Sequence, residues 1–122
     1  MLDQLFGGSA FVATTKALDA ASLRHQVIAN NLANVNTPGF KSRKVQFENA
    51  LSKAIRQPGS GAIASVRPQV TTDSSTSERQ DGNNVDMESE MVDLAANQIK
   101  FEALSQQVSN LFTQLKSVIK GT

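Results

Sequence analysis

The chain has 122 residues, 12 basic and 11 acidic side chains, a formal net charge of +1, one His and no Cys. This length fits a single domain, and the lack of Cys excludes disulfides, thiolate metal sites and thiol nucleophiles. A single His excludes a multi-His metal centre, and the near-neutral charge argues against a polybasic binder. The apolar runs fall short of the roughly 18 residues that a membrane span needs.

The first predicted element is a helix over residues 9–36. Apolar and small residues recur along it at alternating spacings of three and four, which is the pattern of a heptad seam: Phe11, Thr14, Leu18, Ala21, His25, Ile28, Leu32 and Val35. We expect Ser9 to cap its start through the side-chain hydroxyl. We expect Pro38 and Gly39 to end it, because the residue before a proline avoids helical angles and glycine tolerates positive φ.

The segment after this helix changes character twice. Residues 40–56 (FKSRKVQFENALSKAIR) predict a turn and then a short amphipathic helix. Residues 57–84 contain only five Ala, Val or Ile, and most of the rest are Gly, Pro, Ser, Thr or charged. Because so little apolar surface cannot offset the entropy of ordering, this part predicts a flexible linker with at most a short extended stretch at 65–70.

A second, longer helix is predicted from Met87 to about Ile119. Asp86 is its expected N-cap, and acidic residues near its start complement the helix dipole. Its seam again repeats at spacings of three and four and comprises Leu94, Asn97, Phe101, Leu104, Val108, Leu111, Leu115 and Val118. A second apolar stripe lies beside the seam and comprises Met91, Ala95, Phe112 and Ile119.

The expected fold is therefore mainly α. Two long amphipathic helices form a coiled-coil-like hairpin within one domain, divided into residues 1–56, a linker at 57–85, and residues 86–122. One antiparallel pair leaves much of the broad face of the second helix in water, and a lone hairpin of this size is marginally stable. The pattern favours assembly with other chains over the alternative, a self-contained helical domain with the middle segment folded back as a lid.

Two groups of titratable residues have simple structural explanations. His25 lies on the first seam and predicts a hydrogen bond to a neighbouring helix rather than a catalytic base or metal ligand, since no acidic residue stands at a suitable helical spacing. Four carboxylates open the second helix with spacing unlike an EF-hand loop, so capping explains them better than a metal site: Asp86, Glu88, Glu90 and Asp93.

Basic residues follow the first helix at Lys41, Arg43 and Lys44, beside two phenylalanines. Three charges are a weak footprint for single-stranded nucleic acid. A solvated turn, or a contact between chains to the acidic start of the second helix, explains them better. Residues 1–56 carry 7 basic and 3 acidic residues (+4), and residues 57–122 carry 5 and 8 (−3), so opposite halves of two copies attract.

The end of the first helix is rich in asparagine, with four Asn in residues 30–36. Their amides could bridge the backbones of neighbouring helices, or the segment could be a frayed helix end with a turn. The stretch ANNLANVNTPGFK (29–41) resembles the N-terminal signature of the bacterial flagellar axial proteins, the rod and hook family. GNNVDMESEMVDLAANQIKFEAL (82–104) resembles the C-terminal helix of that family.

The resemblance covers about residues 9–56 and 82–120, and the short middle is similar to proximal rod subunits, since hook and distal-rod members insert large β-rich domains there. It implies a structural subunit of the basal-body rod, the drive shaft for motility, with its helices packed around a central channel. The implied partners are other rod proteins, further copies, MS-ring or rod-adaptor proteins and the flagellar type III export apparatus, with no nucleic acid and no small-molecule substrate.

The implied location is the rod in the periplasmic space, reached without a cleaved signal peptide. The start of the chain agrees, because Asp3 and the Gly7-Gly8 pair do not fit a basic and then apolar secretory signal. No nucleophile–base pair or phosphate-binding loop is visible, so neither an enzyme nor a cofactor is expected. A small helical adaptor or export chaperone is the alternative function.

The resemblance also implies three sets of functional residues. An assembly motif comprises Asn30, Asn31, Leu32, Asn34, Asn36, Thr37, Pro38, Gly39 and Phe40. Packing by the second helix is assigned to Met91, Leu94, Phe101, Leu104, Val108, Leu111, Phe112 and Leu115. A candidate export-gate motif consists of Phe47 and Leu51, which serve equally well as the core face of the short helix.

Overall fold

The computed structural model describes residues 8–75 and 79–121. The expectation about a secretory signal rests on Asp3 and Gly7 and lies outside them. The described elements, in chain order, are helix α1 (Ser9–Ala33), strand β1 (Arg43–Gln46), helix α2 (Glu48–Ile55), helix α3 (Gly61–Ala64), strand β2 (Gln69–Thr72) and helix α4 (Met87–Ile119).

The two long helices pack together as an antiparallel hairpin, which confirms the predicted fold class. The Asn97 side-chain amide of α4 donates a 2.8 Å hydrogen bond to the Ala21 carbonyl of α1. Farther along, the rings of Phe11 and Phe112 meet edge to face with centroids 6.2 Å apart. The contacting residues have increasing numbers in α4 and decreasing numbers in α1, so the two helices run in opposite directions. With a rise of 1.5 Å per residue, α4 is about 50 Å long.

The helix ends follow the sequence only in part. The Asp86 carboxylate accepts hydrogen bonds from the backbone N–H groups of Glu88 and Ser89, so the predicted N-cap of α4 is confirmed. The predicted Ser9 cap is wrong, because Gly8 is the N-cap and Ser9 is already the first helical residue. Helix α1 also ends at Ala33 rather than near residue 36. There the Asn34 side chain donates to the Asn30 carbonyl at 2.8 Å, a local bond that competes with the helix ladder.

Strands β1 and β2 form a two-stranded antiparallel sheet, of which the sequence indicates only a short extended stretch at 65–70 that overlaps the start of β2. Their register pairs Arg43 with Thr72 and Gln46 with Gln69. Within β1 only Val45 is buried, so the strand lacks the alternating pattern that would identify it. The short helix predicted after this segment is confirmed as α2.

Part of the middle segment joins the core, contrary to the expectation that it has too little apolar surface to pack. Ile63 of α3 is only 1% exposed, and Val66 is also buried. Both belong to one hydrophobic cluster with Ala20, Phe47 and Ala54. The prediction that this segment buries too little surface to pack is wrong because burial depends on where the few apolar residues lie, and α3 places them against α1 and α2. The division at residues 56 and 86 stays a prediction.

In the part of the chain that the structure describes, none of the helices has the length and apolar character to cross a membrane.

Candidate assembly site

A buried asparagine connects three elements near the end of α1. Asn31 is 1% exposed. Its side-chain Nδ2 donates to the Arg43 carbonyl at 2.8 Å and to Glu90 Oε1 at 3.1 Å. Its Oδ1 accepts the Arg43 N–H at 3.0 Å. One amide therefore binds α1 to β1 and to the first turn of α4.

A second buried asparagine holds the turn that follows α1. The Nδ2 of Asn83 donates to the carbonyls of Asn34 and Thr37, each at 2.8 Å. Its Oδ1 accepts the Val85 N–H at 2.8 Å. Carbonyls at the C-terminal end of a helix lack intrahelical partners, so Asn83 satisfies a group that would otherwise be open.

Asn84 completes the arrangement on the side of the sheet. Its Oδ1 accepts the Ser42 N–H at 2.7 Å, and its Nδ2 donates to the Asp73 carbonyl at 2.8 Å. We call Asn31, Asn83 and Asn84, with the groups that they bind, the asparagine clasp. The clasp fastens the turn after α1 to the segment that leads into α4.

The backbone of the turn contributes further contacts to the same region. The Gly39 N–H donates to the Asp81 carbonyl at 2.7 Å, and Gly39 has the predicted positive φ, 75°. The Lys41 ammonium donates to the Gly82 carbonyl at 2.6 Å. The first residue of the basic group therefore binds within the chain, whereas Arg43 and Lys44 are exposed.

The predicted assembly motif lies in and around this clasp. Asn31, Asn34, Thr37 and Gly39 take part through side chains or backbone, and the Phe40 carbonyl accepts the Asn84 N–H at 3.3 Å. The remaining members contribute a helix carbonyl or lie at the surface: Asn30, Leu32, Asn36 and Pro38. Asn83 and Asn84 are not among the predicted site residues, although an Asn pair stands directly before Val85 and Asp86 at the start of α4.

The carboxylate of Glu90 is the buried charge of this site. Burial raises the pKa of Glu90 above its ordinary value, and the neighbouring carboxylates Asp93 and Asp86 act in the same direction. The hydrogen bond from Asn31 and the charge of Lys44 oppose this shift in part. The clasp therefore includes an acid whose ionised form the fold disfavours.

Glu48 behaves in the opposite way at the start of α2. Its carboxylate lies 2.7 Å from an Arg24 guanidinium nitrogen and 3.5 Å from the Lys100 ammonium. Partial burial acts to raise the pKa of Glu48, but the Arg24 hydrogen bond and both positive charges outweigh it, so the pKa is lowered. Among the described residues no group of three or more carboxylates or histidines is arranged to hold a metal ion.

His25 lies at the exposed edge of the contact between the two long helices, not buried within the seam. Ala21 and Ile28 are the buried residues of this part of α1. A groove of about 260 Å³ runs beside them between the two long helices, lined by Ser22, His25, Gln26, Asn97, Gln98 and Phe101.

The predicted packing residues of α4 divide into two groups. Leu115 is buried and four others are half-buried: Leu94, Leu104, Val108 and Leu111. The other three are exposed: Met91 to 57% of its surface, Phe101 to 37% and Phe112 to 45%. Because spacings near multiples of 3.6 place residues on one side of a helix, these three align with two further exposed residues, Met87 and Ile119. We call these five residues the open face.

Comparison with known proteins identifies the family. A sequence model of the family described as "Flagella basal body rod protein" matches residues 13–41, which span most of α1 and the turn after it. The flagellar basal body rod protein FlgB of Bacillus subtilis (strain 168) is 36% identical over 119 residues, covering 86% of this chain and 88% of that protein. FlgB of Borrelia hermsii is 35% identical over 121 residues, covering 84% and 90%. The chain belongs to the FlgB family of flagellar basal body rod proteins.

This FlgB-family chain is a structural subunit of the flagellar basal-body rod. It is also similar to the flagellar basal-body rod protein FlgG of Buchnera aphidicola subsp. Baizongia pistaciae (strain Bp), with 56% identity over 43 residues. That likeness covers 35% of this chain and 16% of the FlgG protein, so it is confined to a short segment.

Within this FlgB-family fold, the candidate export-gate residues are core residues. Phe47 is 3% exposed in the hydrophobic cluster, and Leu51 packs against the same cluster. Their packing explains why this short helix has an apolar side. A role in export stays a prediction.

Proposed function

We propose that the chain is a proximal rod subunit that assembles by packing its open face against neighbouring rod chains and further copies of itself. The observation that carries this proposal is the exposure of Met87, Met91 and Ile119 along one side of α4 in a member of a rod family. Removing apolar surface from water contributes roughly 25 cal/mol per Å², before the cost of ordering the partners. Large exposed side chains aligned on one helix therefore favour a helical contact.

The mechanical task explains why such a contact is extended. A shaft that transmits torque must resist shear between its subunits, and a long helix such as α4 offers a continuous strip rather than a single point. Contacts between different faces of successive copies do not close into a ring and therefore generate a helical filament. The clasp supports this role because it fixes the geometry of α1 relative to α4.

The proposal extends to location and partners. The chain acts in the periplasmic part of the rod, beside MS-ring or rod-adaptor proteins, without nucleic acid, small-molecule substrate or catalysis. It passes unfolded through the flagellar type III export apparatus without a cleaved signal. In the unfolded chain Phe47 is accessible to a receptor, whereas the folded chain buries it.

Complementation of a strain that lacks its own rod subunit tests the proposal. Met91→Asp and Ile119→Asp each place a charge on the open face, so motility and rod formation should be lost, while the purified variants keep their helix content by circular dichroism. Gln106→Asp is the matched control, since it adds the same charge at an exposed position elsewhere on α4. Motile cells with either open-face variant would show that this face is not the assembly surface.

A further inference from the structure

A second row of small and apolar residues runs along α4, and one member, Ala96, also lines a cavity shared with Arg24 and Val27 of α1. Val92, Ala96, Ile99 and Ala103 follow one another at spacings of four, three and four, so they share one helix face. Val92 and Ile99 are each 68% exposed, the largest fractions among the exposed large hydrophobic residues. Both alanines are exposed as well. We call these four residues the outer seam, which lies on a different side of α4 from the open face.

We propose that the outer seam binds the outer seam of a second copy of this chain, in antiparallel orientation about a two-fold axis. Large and small residues alternate along the seam. In antiparallel register, Val92 lies opposite the second copy's Ala103, and Ile99 lies opposite its Ala96. Each large side chain then meets a small one, and the two-fold axis repeats both pairs, as an isologous contact requires. Parallel pairing would instead set Ile99 against Ile99 and leave a gap between the alanines.

Charge complementarity favours the same partner and orientation. Asp93 and Lys100 are seven residues apart, so they flank the outer seam along one edge. In antiparallel pairing this edge faces itself, and Asp93 approaches the second copy's Lys100 twice over. Lys100 keeps only a 3.5 Å contact to Glu48, and both side chains of that contact are about half exposed. Exposed ion pairs add little affinity, but they select orientation.

The size of the contact sets the expected strength. Residues 92–103 span about 17 Å of helix, which is short compared with stable dimer interfaces. The dimer is therefore weak and reversible, forming as the concentration rises from about 10 µM to about 1 mM. It goes beyond the proposed rod contact, because it uses other residues and does not require the open face.

Sedimentation equilibrium of the purified full chain tests the dimer. A reversible monomer–dimer equilibrium is expected for the wild type. Ala96→Leu fills the space that Ile99 of the other copy needs, so it should weaken the dimer at least about tenfold while helix content by circular dichroism is unchanged. Gln114→Leu adds the same side chain at an exposed position on the same helix face, about three turns beyond the end of the seam, and should dimerise like the wild type. Unchanged dimerisation of Ala96→Leu, or a wild type that stays monomeric at 1 mM, overturns the proposal.

Cysteine cross-linking tests the orientation, since the natural chain has no Cys. Val92→Cys and Ala103→Cys chains should form a mixed disulfide when combined and little disulfide separately, because two copies of residue 92 would be about 16 Å apart along the helix. Disulfides that form equally well within each single variant would indicate another register and overturn the proposal. Asp93→Lys should weaken the dimer, and adding Lys100→Asp should restore it. A double variant that stays weak contradicts the assigned ion pairs.

Discussion

Asn31 near the end of α1 donates a hydrogen bond to Glu90 in the first turn of α4, 3.1 Å away and 59 residues later in the chain. The same amide binds both backbone groups of Arg43 in β1. A single buried side chain therefore joins the end of one long helix, the start of the other and the small sheet. The relative position of the two long helices, and with it the assembly surface, depends on this contact.

Replacing Asn31 should destabilise the chain strongly, because its side chain is buried and makes three hydrogen bonds. Asn31→Ala leaves the Arg43 amide and the Glu90 carboxylate without their partner, at a cost of about 3 kcal/mol in the free energy of unfolding. Urea denaturation followed by circular dichroism measures the loss. The neighbouring Asn30 is exposed, so Asn30→Ala should change stability by less than about 0.5 kcal/mol. Equal effects of the two substitutions would contradict the role of the clasp.

The middle segment should contribute to stability through Ile63. Ile63→Ala removes a nearly fully buried side chain and should cost about 2 to 5 kcal/mol of unfolding free energy. Ile55→Ala is the control, because Ile55 is 54% exposed and its loss should cost about 1 kcal/mol or less. A negligible effect of Ile63→Ala would mean that residues 57–75 behave as the flexible linker that the composition predicts.

Glu90 should make the stability depend on pH in a defined direction. Its pKa is raised in the folded state, so the folded chain binds more protons than the unfolded chain between the ordinary pKa and the raised one. Stability contributed by Glu90 is therefore complete below the ordinary pKa of 4.5 and falls as pH rises through the raised value. Glu90→Gln keeps an acceptor for Asn31 and should melt at a higher temperature than the wild type at pH 7.

The control for Glu90→Gln is to compare its melting temperature with that of the wild type at pH 4 as well as at pH 7. The advantage of Glu90→Gln should shrink at pH 4, where the wild-type carboxyl is protonated as well. A variant that is less stable than the wild type at pH 7 would show that the charged carboxylate stabilises the clasp.

The two groups of packing residues on α4 should differ in their effect on the isolated chain. Leu104 is half-buried on the side facing α1, so Leu104→Asp should lower the unfolding free energy by about 2 kcal/mol or more. Met91→Asp changes an exposed residue and should lower it by less than about 1 kcal/mol. Urea denaturation of both purified variants measures these changes. Similar losses of unfolding free energy would contradict the division of α4 into a side that packs on α1 and an open face.

The long helices could be predicted because their apolar residues repeat over many turns. Helix α4 spans Met87–Ile119, as the pattern and the Asp86 cap indicate. The pairing of β1 with β2 could not be predicted, since β1 has one buried side chain and β2 has none, so neither strand shows an alternating pattern. The packing of Ile63 depends on contacts with distant Phe47 and Ala20, which local composition does not encode.

Only one half of the asparagine clasp could be predicted from the sequence. The unusual asparagines after α1 marked one half of the clasp, but Asn83 and Asn84 were assigned to the linker because their segment is polar. Their role follows from tertiary contacts to Thr37 and Ser42, more than 40 residues away. Similarly, the heptad pattern included His25, whereas the crossing of the helices leaves His25 at the surface.

The most direct test of the account is photo-cross-linking in intact basal bodies. A photoreactive amino acid at Met91, on the open face, should form adducts with another rod chain after assembly. The same probe at Gln57, an exposed residue outside the open face, serves as the control. Strong adducts from position 91 are the expected result. Assembled rods in which position 91 reacts no more than position 57 would contradict the claim that the open face joins the subunits.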